Sequence, residues 1–142
     1  MPSNRLIESI ELECPICNKV HKVEKRQRKS QSIIKGEVVD YHEIYFLCTQ
    51  SIDEENEFVS AEVMDVNLLE ARDAYRRMKS LLTSDEIIGI RKSYGFTQNE
   101  FSNLLGWGEV TVTRYESKTI QDQTYDRVMK YTMENPLFAL EC

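Results

Sequence analysis

The chain lacks any long hydrophobic run. No stretch approaches the roughly 18–20 consecutive apolar residues that a transmembrane helix requires, which argues against a membrane protein. Residues 1–10 include Arg5 and Glu8 and contain no apolar block, so they do not resemble a secretory signal. We therefore expect a cytoplasmic protein.

Recognisable signatures of catalysis are missing as well. The chain has two histidines, His21 and His42, and neither lies in a motif typical of a nucleophile or a general base. There is no glycine-rich phosphate loop, no internal repeat and no low-complexity tract. We therefore do not expect an enzyme.

A basic excess, which nucleic-acid-binding domains usually carry, is absent. The chain has 18 basic and 24 acidic residues and a net charge of −6. From Thr83 onward it has six basic and nine acidic residues, a net charge of −3. Because neutralised phosphates supply much of the affinity for DNA, this balance counts against tight binding more than against a DNA-binding fold.

The C-terminal part of the chain does contain signals that start and end helices. Thr83 with Glu86, and Thr97 with Glu100, have the S/T-x-x-E spacing of a capping box. Gly95 has the position of a residue that ends a helix. Apolar residues at helical spacing predict four helices in 83–142; the third is expected at Glu109–Ser117 and the fourth at Gln123–Glu134.

The second and third of these helices, joined at Gly106-Trp107-Gly108, have the layout of a helix-turn-helix. Thr97 and Gln98 begin the first helix of the pair, where free N–H groups favour a phosphate. Val112 and Tyr115 are expected to pack inward. The candidate DNA-contacting residues on the opposite face are Glu109, Val110, Thr111, Thr113 and Arg114. Arg114 can bond guanine bidentately; the alternative is a salt bridge to Glu116 or Glu109.

The N-terminal part is β-prone. Strands are predicted at Glu8–Cys14, at Val38–Leu47 after a turn at Lys35-Gly36, and at Glu57–Val63. The basic run Lys19–Lys29 reads either as a patch for phosphate or an acidic partner or, preferably, as a solvated hairpin arm.

A helix is predicted between the two parts, with Asn67 as its cap. The fold class is therefore α+β: a small β-rich, zinc-finger-like domain at 1–63, a linker helix at 64–82 and an all-α helix-turn-helix domain at 83–142.

Cysteines are few: Cys14, Cys17, Cys48 and Cys142. The first two form a C-x-x-C motif, which without a secretory signal points to metal or redox chemistry rather than to a disulfide framework. A redox site is disfavoured because no βαβ pattern surrounds the motif.

Two sets of motifs carry a family resemblance. Phe96-Thr97-Gln98, Leu104-Leu105-Gly106 and Thr111–Glu116 resemble the signature of Xre/Cro-type helix-turn-helix domains. Together with the C-x-x-C and the linker helix, the chain resembles MqsA/YgiT-type antitoxins and the zinc-finger and helix-turn-helix region of Panacea/SocA-associated antitoxins. The resemblance implies that Arg114 reads a base, whereas Val110 replaces the family's base-reading asparagine.

The resemblance also implies zinc, held by two C-x-x-C motifs. Here the second motif reads Cys48-Thr49-Gln50-Ser51, and serine is a poor zinc ligand. Either Cys14, Cys17 and Cys48 keep zinc with a substitute fourth ligand, or the site has degenerated and binds no zinc tightly; the second alternative is slightly favoured. The substitute candidates are His21, His42 and Asp53.

The leading functional expectation is a dimeric transcriptional repressor, an antitoxin that binds operator DNA and a protein toxin and regulates its own operon. The expected dimer surface lies at the chain's end, at Tyr131, Met133, Leu137, Phe138 and Leu140. The alternative is an interaction module in which residues 1–63 sequester a toxin or other partner while DNA binding is weak or lost.

Overall fold

The computed structural model describes residues 4–51 and 55–135. The chain divides into two compact units, Met1–Ala74 (unit 1) and Tyr75–Cys142 (unit 2). The described residues form a four-stranded antiparallel sheet and five helices, which confirms the α+β class. None of the described helices combines the length and apolar character needed to cross a membrane.

Unit 1 is built on the sheet, whose strands follow one another in chain order. The strands are β1 Arg5–Glu13, β2 Val20–Ile34, β3 Glu37–Leu47 and β4 Glu57–Phe58. The strands predicted at Glu8–Cys14 and Val38–Leu47 are confirmed with small shifts at their ends. The strand predicted at Glu57–Val63 is wrong beyond Phe58, because a helix begins at Ala61.

The β2–β3 hairpin has the turn that the sequence predicts. Lys35 and Gly36 both adopt positive φ, 51° and 81°, as a two-residue type I′ connection requires. Ile34 pairs with Glu37 across it. The turn therefore sets the register of the hairpin.

The basic run Lys19–Lys29 lies mostly on β2, where carboxylates neutralise two of its arginines. Arg26 contacts Glu24 at 2.9 Å, and Arg28 contacts Glu43 and Glu57, each at 2.8 Å. The run therefore forms an arm of the β2–β3 hairpin, but residues 24–28 are half-buried and not fully solvated.

A small apolar core lies at the end of the sheet that carries the cysteines. Its buried residues are Cys14, Val23, Phe46 and Cys48. Phe58 of β4 stacks on Phe46, with 5.2 Å between ring centroids. Two of the thiols are thus part of the core itself.

The first helix, α1, spans Ala61–Met78, so it begins and ends before the predicted linker helix. The prediction that Asn67 caps it is wrong, since Asn67 lies inside the helix and is buried. Its side-chain oxygen accepts from the Ile44 N–H and its amide donates to the Ile44 carbonyl, both at 2.8 Å. Asn67 therefore satisfies backbone groups of β3, and Ser60 accepts from the Val63 N–H near the helix start.

Unit 2 contains four further helices: α2 Ser84–Ser93, α3 Gln98–Leu104, α4 Thr111–Ser117 and α5 Gln123–Glu134. Both predicted capping boxes form, Thr83 with Glu86 and Thr97 with Glu100. Gly95 ends α2 with a φ of 73°. The third predicted helix begins two residues late, at Thr111, and its N-cap residue Val110 supplies no side-chain hydrogen bond.

The core of unit 2 is formed by all four helices together with Leu82. Its buried members are Leu82, Ile87, Ile90, Phe101, Val112 and Met129. Val112 and Tyr115 pack against this core as predicted. Trp107 stacks on Tyr125 with 4.5 Å between ring centroids, so it packs beside the α3–α4 turn.

We predict that Asn67→Ala destabilises unit 1 by about 1–3 kcal/mol, because it leaves the N–H and carbonyl of Ile44 without these partners. Hydrogen exchange at the Ile44 amide, together with urea unfolding, measures the effect. Leu68→Ala is the control, since Leu68 is exposed on the same helix. Unchanged protection of Ile44 in Asn67→Ala would contradict the assignment.

Candidate metal centre and nucleic-acid interface

Three cysteines and one histidine converge at one end of the sheet. Cys14 and Cys17 lie in the turn after β1, His21 lies near the start of β2, and Cys48 follows β3 directly. One ligand atom from each of these four residues lies within 4.8 Å of the other three. This cysteine–histidine cluster can hold a metal ion.

Local backbone geometry brings the cluster together. The Asn18 N–H donates to the Cys14 carbonyl at 2.7 Å, and the Cys14 N–H donates to the Lys19 carbonyl at 2.9 Å. Asn18 takes the left-handed conformation, with a φ of 57°, that asparagine tolerates better than most residues. The resulting tight turn places the first two thiols beside the paired strands. The Cys48 N–H donates to the Asn56 carbonyl at 2.8 Å, which fixes the backbone that carries the third thiol.

The imidazole of His21 is oriented for metal binding. Its Nδ1 lies 2.8 Å from the Lys22 carbonyl, and its Nε2 lies 3.6 Å from Cys48 Sγ. A carbonyl oxygen can only accept, so Nδ1 carries the hydrogen and the lone pair of the neutral ring is on Nε2. Histidines that bind metals commonly have their other nitrogen fixed in this way.

The two thiols of the C-x-x-C motif differ in acidity. Burial raises the pKa of Cys14, but the backbone N–H groups of Cys17 and Ile16 and the side chains of His21 and Cys48 lower it to about 6. Burial and the neighbouring sulfurs of Cys14 and Cys48 raise the pKa of Cys17. The surroundings thus favour the thiolate of Cys14 over that of Cys17, and a thiolate is the form that binds metal.

The predicted thiol ligands Cys14, Cys17 and Cys48 are brought together, and of the candidates for a fourth ligand His21 joins them. His42 is exposed on β3, opposite Lys29. Asp53 lies outside the described residues. Strand register is the signal that separates the two histidines: His21 pairs with Leu12, close to Cys14, whereas His42 precedes Cys48 by six residues along β3.

The donor set and its spacing fit zinc. Zinc–sulfur bonds of about 2.3 Å and zinc–nitrogen bonds of about 2.0–2.1 Å place tetrahedral ligand atoms roughly 3.6–3.8 Å apart. The 3.6 Å between His21 Nε2 and Cys48 Sγ matches this spacing. The other ligand atoms lie within 4.8 Å of one another, so they need to move only slightly closer together to bind zinc.

The predicted DNA-contacting residues lie on and around α3 and α4 of unit 2. Thr97 is exposed and caps α3, and Gln98 is the first residue of α3 and is half-buried. Glu109 and Val110 are exposed before α4, and within α4 Thr111 and Thr113 are half-buried while Arg114 is exposed. Arg114 makes no ion pair with the described residues.

Gln98 is held between α3 and α4. Its amide nitrogen donates to Glu116 at 2.9 Å, and its oxygen accepts from the Thr113 hydroxyl at 2.9 Å. The amide nitrogen retains a second hydrogen. Glu116 also pairs with Arg91, at 2.8 and 3.1 Å. The sequence does not predict the role of Arg91, because a pair that links α2 to α4 has no local signal in the sequence.

Comparison with models of known protein families and with curated proteins finds no match for this chain. The resemblance to antitoxins therefore stays a prediction based on the motifs quoted above.

We predict that Glu116→Ala destabilises unit 2 by about 3–5 kcal/mol, because it leaves a largely buried guanidinium without its carboxylate. The side chains of Arg91 and Glu116 are 13% and 4% exposed. Urea unfolding followed by fluorescence of Trp107, the only tryptophan of the chain, measures the change. Glu109→Ala is the charge-matched control at an exposed site. Equal stability of the two variants would contradict the role of the pair.

Proposed function

We propose that this protein is a dimeric transcriptional repressor that binds operator DNA through α3 and α4, and that it is an antitoxin that regulates its own operon. The observation that carries the proposal is the pair of short helices with an exposed arginine, Arg114, on the outer face of α4. In this proposal α3 and α4 form the helix-turn-helix.

The way α3 packs against α4 supports this role. Gly106 adopts a φ of 74° in the connection, as a tight turn between two helices needs. The hydroxyl of buried Ser102 accepts from the Val112 N–H at 3.1 Å, which links α3 to the first turn of α4. Glu109 and Val110, just before α4, and Arg114 within it are exposed, and the N-terminal part of a recognition helix is where base edges are met.

Each proposed contact follows from the chemistry of its side chain. Arg114 would bond guanine O6 and N7, and Val110, 50% exposed, would contact a thymine methyl. Gln98 would donate its second amide hydrogen to a phosphate at the N-terminus of α3. In this proposal Thr97, Glu109, Thr111 and Thr113 would complete the interface.

Dimerisation is part of the proposal because one module of this kind buries too little surface for tight binding. Tyr131 and Met133 on α5, 52% and 48% exposed, are where we place the partner copy. Leu137, Phe138 and Leu140, which were predicted to extend this surface, lie outside the described residues. A two-fold dimer would recognise half-sites about 34–36 Å apart.

The sequence alone slightly favours a degenerate site, but because His21 joins the three cysteines we further propose that zinc binds the cysteine–histidine cluster and that unit 1 binds the toxin. Cys14, Cys17, His21 and Cys48 would hold the ion, which would supply a structural cross-link between the β1–β2 turn and the end of β3. The support is that the core of unit 1 is small, and domains of this size commonly need such a link.

The net negative charge of the chain favours a second candidate function, that of an interaction module that chiefly sequesters a partner through unit 1. The two candidates differ in a mobility-shift experiment on the protein's own promoter at several salt concentrations. Specific binding that weakens with added salt is expected for the repressor. Absence of a specific complex at low salt would favour the interaction module.

For the DNA interface, we predict that Arg114→Ala weakens specific binding by about 1–3 kcal/mol and relaxes specificity at one base step. Competition binding with operator variants measures both effects. Arg127→Ala is the matched control, because it removes the same charge from an exposed position on α5. Unchanged operator affinity in Arg114→Ala would exclude α4 as the recognition helix.

For the metal, we predict that protein purified without chelator carries about one zinc ion per chain and that His21→Ala loses it, since structural zinc binding is coupled to folding. His42→Ala, the control, should retain the ion. Cys14→Ser should unfold unit 1, seen as lost amide protection in the sheet, while Trp107 fluorescence of unit 2 stays native. Elemental analysis that finds no zinc in the wild-type protein would refute the zinc assignment.

A further inference from the structure

The last turn of α1 carries a buried arginine that belongs to unit 2. Arg76 is fully buried. Its guanidinium donates to the Tyr115 carbonyl at 2.6 Å and to the Thr119 carbonyl at 2.8 Å, and its Nε donates to Gln121 at 3.0 Å. The side chain of Arg76 thus donates to three acceptors at or just beyond the C-terminal end of α4.

The end of α4 needs such a donor. A helix of seven residues is too short to be stable by itself, and the carbonyls of its last turn have no partners within the helix. The N–H groups of Lys118 and Thr119 both donate to the Arg114 carbonyl at 2.7 Å, which leaves the later carbonyls free for a donor from elsewhere. A cation is also favourable at the negative end of the helix dipole.

A second set of bonds fixes the orientation of the guanidinium. Gln121, which accepts from Arg76, donates to the Leu82 carbonyl at 2.8 Å and to Asp126 at 3.0 Å. Asp126 also accepts from the Leu82 N–H at 2.8 Å. The segment after α1, the loop after α4 and the first half of α5 are therefore joined through buried polar groups.

We propose that Arg76 is a positioning residue for α4: it sets the angle at which α4 presents Arg114 to DNA. This inference rests on the proposed function of α4. Arg76 acts close to Arg114. The backbone carbonyl of Arg114 accepts the bonds that end the helix, and Arg76 binds the neighbouring carbonyls of Tyr115 and Thr119. The last turn of α1 thereby belongs to the DNA-reading unit, although the sequence predicts a linker there.

Arg76→Lys is the informative variant. Lysine keeps the charge but lacks the planar fork that bonds two carbonyls and Gln121 at once. A tilt of α4 disturbs base contacts, which need placement within about 0.5 Å and 10–20°. Phosphate contacts carry no sequence information and depend mainly on charge, which Arg76→Lys keeps.

The experiment measures binding of the full chain to its own promoter and to random DNA by fluorescence anisotropy. For Arg76→Lys we expect a loss of specific affinity of about tenfold or more, with nonspecific affinity changed less than about twofold and an unchanged salt slope. Arg127→Lys, the exposed control, should match the wild type in both. An unchanged ratio of specific to nonspecific affinity in Arg76→Lys would overturn the proposal.

Hydrogen exchange separates this inference from the proposed function. Arg76→Lys should lose protection at the Lys118 and Thr119 amides while the amides of α5 keep theirs, whether or not the wild type binds DNA. If the wild-type protein forms no specific complex with DNA, that result rejects the DNA-binding role alone, because hydrogen exchange still tests the effect of Arg76 on α4. Gln121→Met is the second variant, and it should lose specific affinity in the same way. Unfolding of both variants at the assay temperature would show a purely structural role and overturn the positioning proposal.

Discussion

The structure depends on buried polar contacts, which in each unit hold one element against another. The apolar cluster of unit 1 around the cysteines has four buried members, two of them cysteines, and the cluster of unit 2 has six. Domains of this size often need an additional staple. In unit 1 the cysteine–histidine cluster occupies the position of such a staple. In unit 2 the Arg91–Glu116 pair and the bonds of Arg76 join elements that lie far apart in the chain.

The parts of the fold that the sequence predicts are those that local signals determine. A capping box needs a threonine and a glutamate three residues apart, so Thr83–Glu86 and Thr97–Glu100 could be read without knowledge of the packing. The Lys35-Gly36 turn follows equally from a glycine that accepts positive φ. At the candidate interface, the inward side chain of Val112 and the exposed one of Arg114 follow from helical spacing alone.

The parts that the sequence did not predict depend on distant partners. Most of β2 carries charged and polar side chains whose carboxylate partners, such as Glu43 and Glu57, come from later strands. Asparagine often caps helices, but Asn67 bonds Ile44 instead, because tertiary contacts override this local preference. The choice of His21 over His42 required the strand register, which neither histidine's spacing from the nearest cysteine specifies.

Within the proposed function, the same constraint accounts for how an acidic protein could be specific for DNA. Of the six basic residues from Thr83 onward, Arg91 and Lys130 are paired with Glu116 and Asp126, which leaves the exposed residues Lys92, Arg114, Lys118 and Arg127. Few charges are therefore available for phosphates, so under the proposed function the nonspecific part of the affinity would be small. Discrimination would then depend on how accurately α4 is placed against the bases. Because a helix of seven residues cannot hold that placement alone, the buried bonds at its end would contribute to specificity as well as to stability.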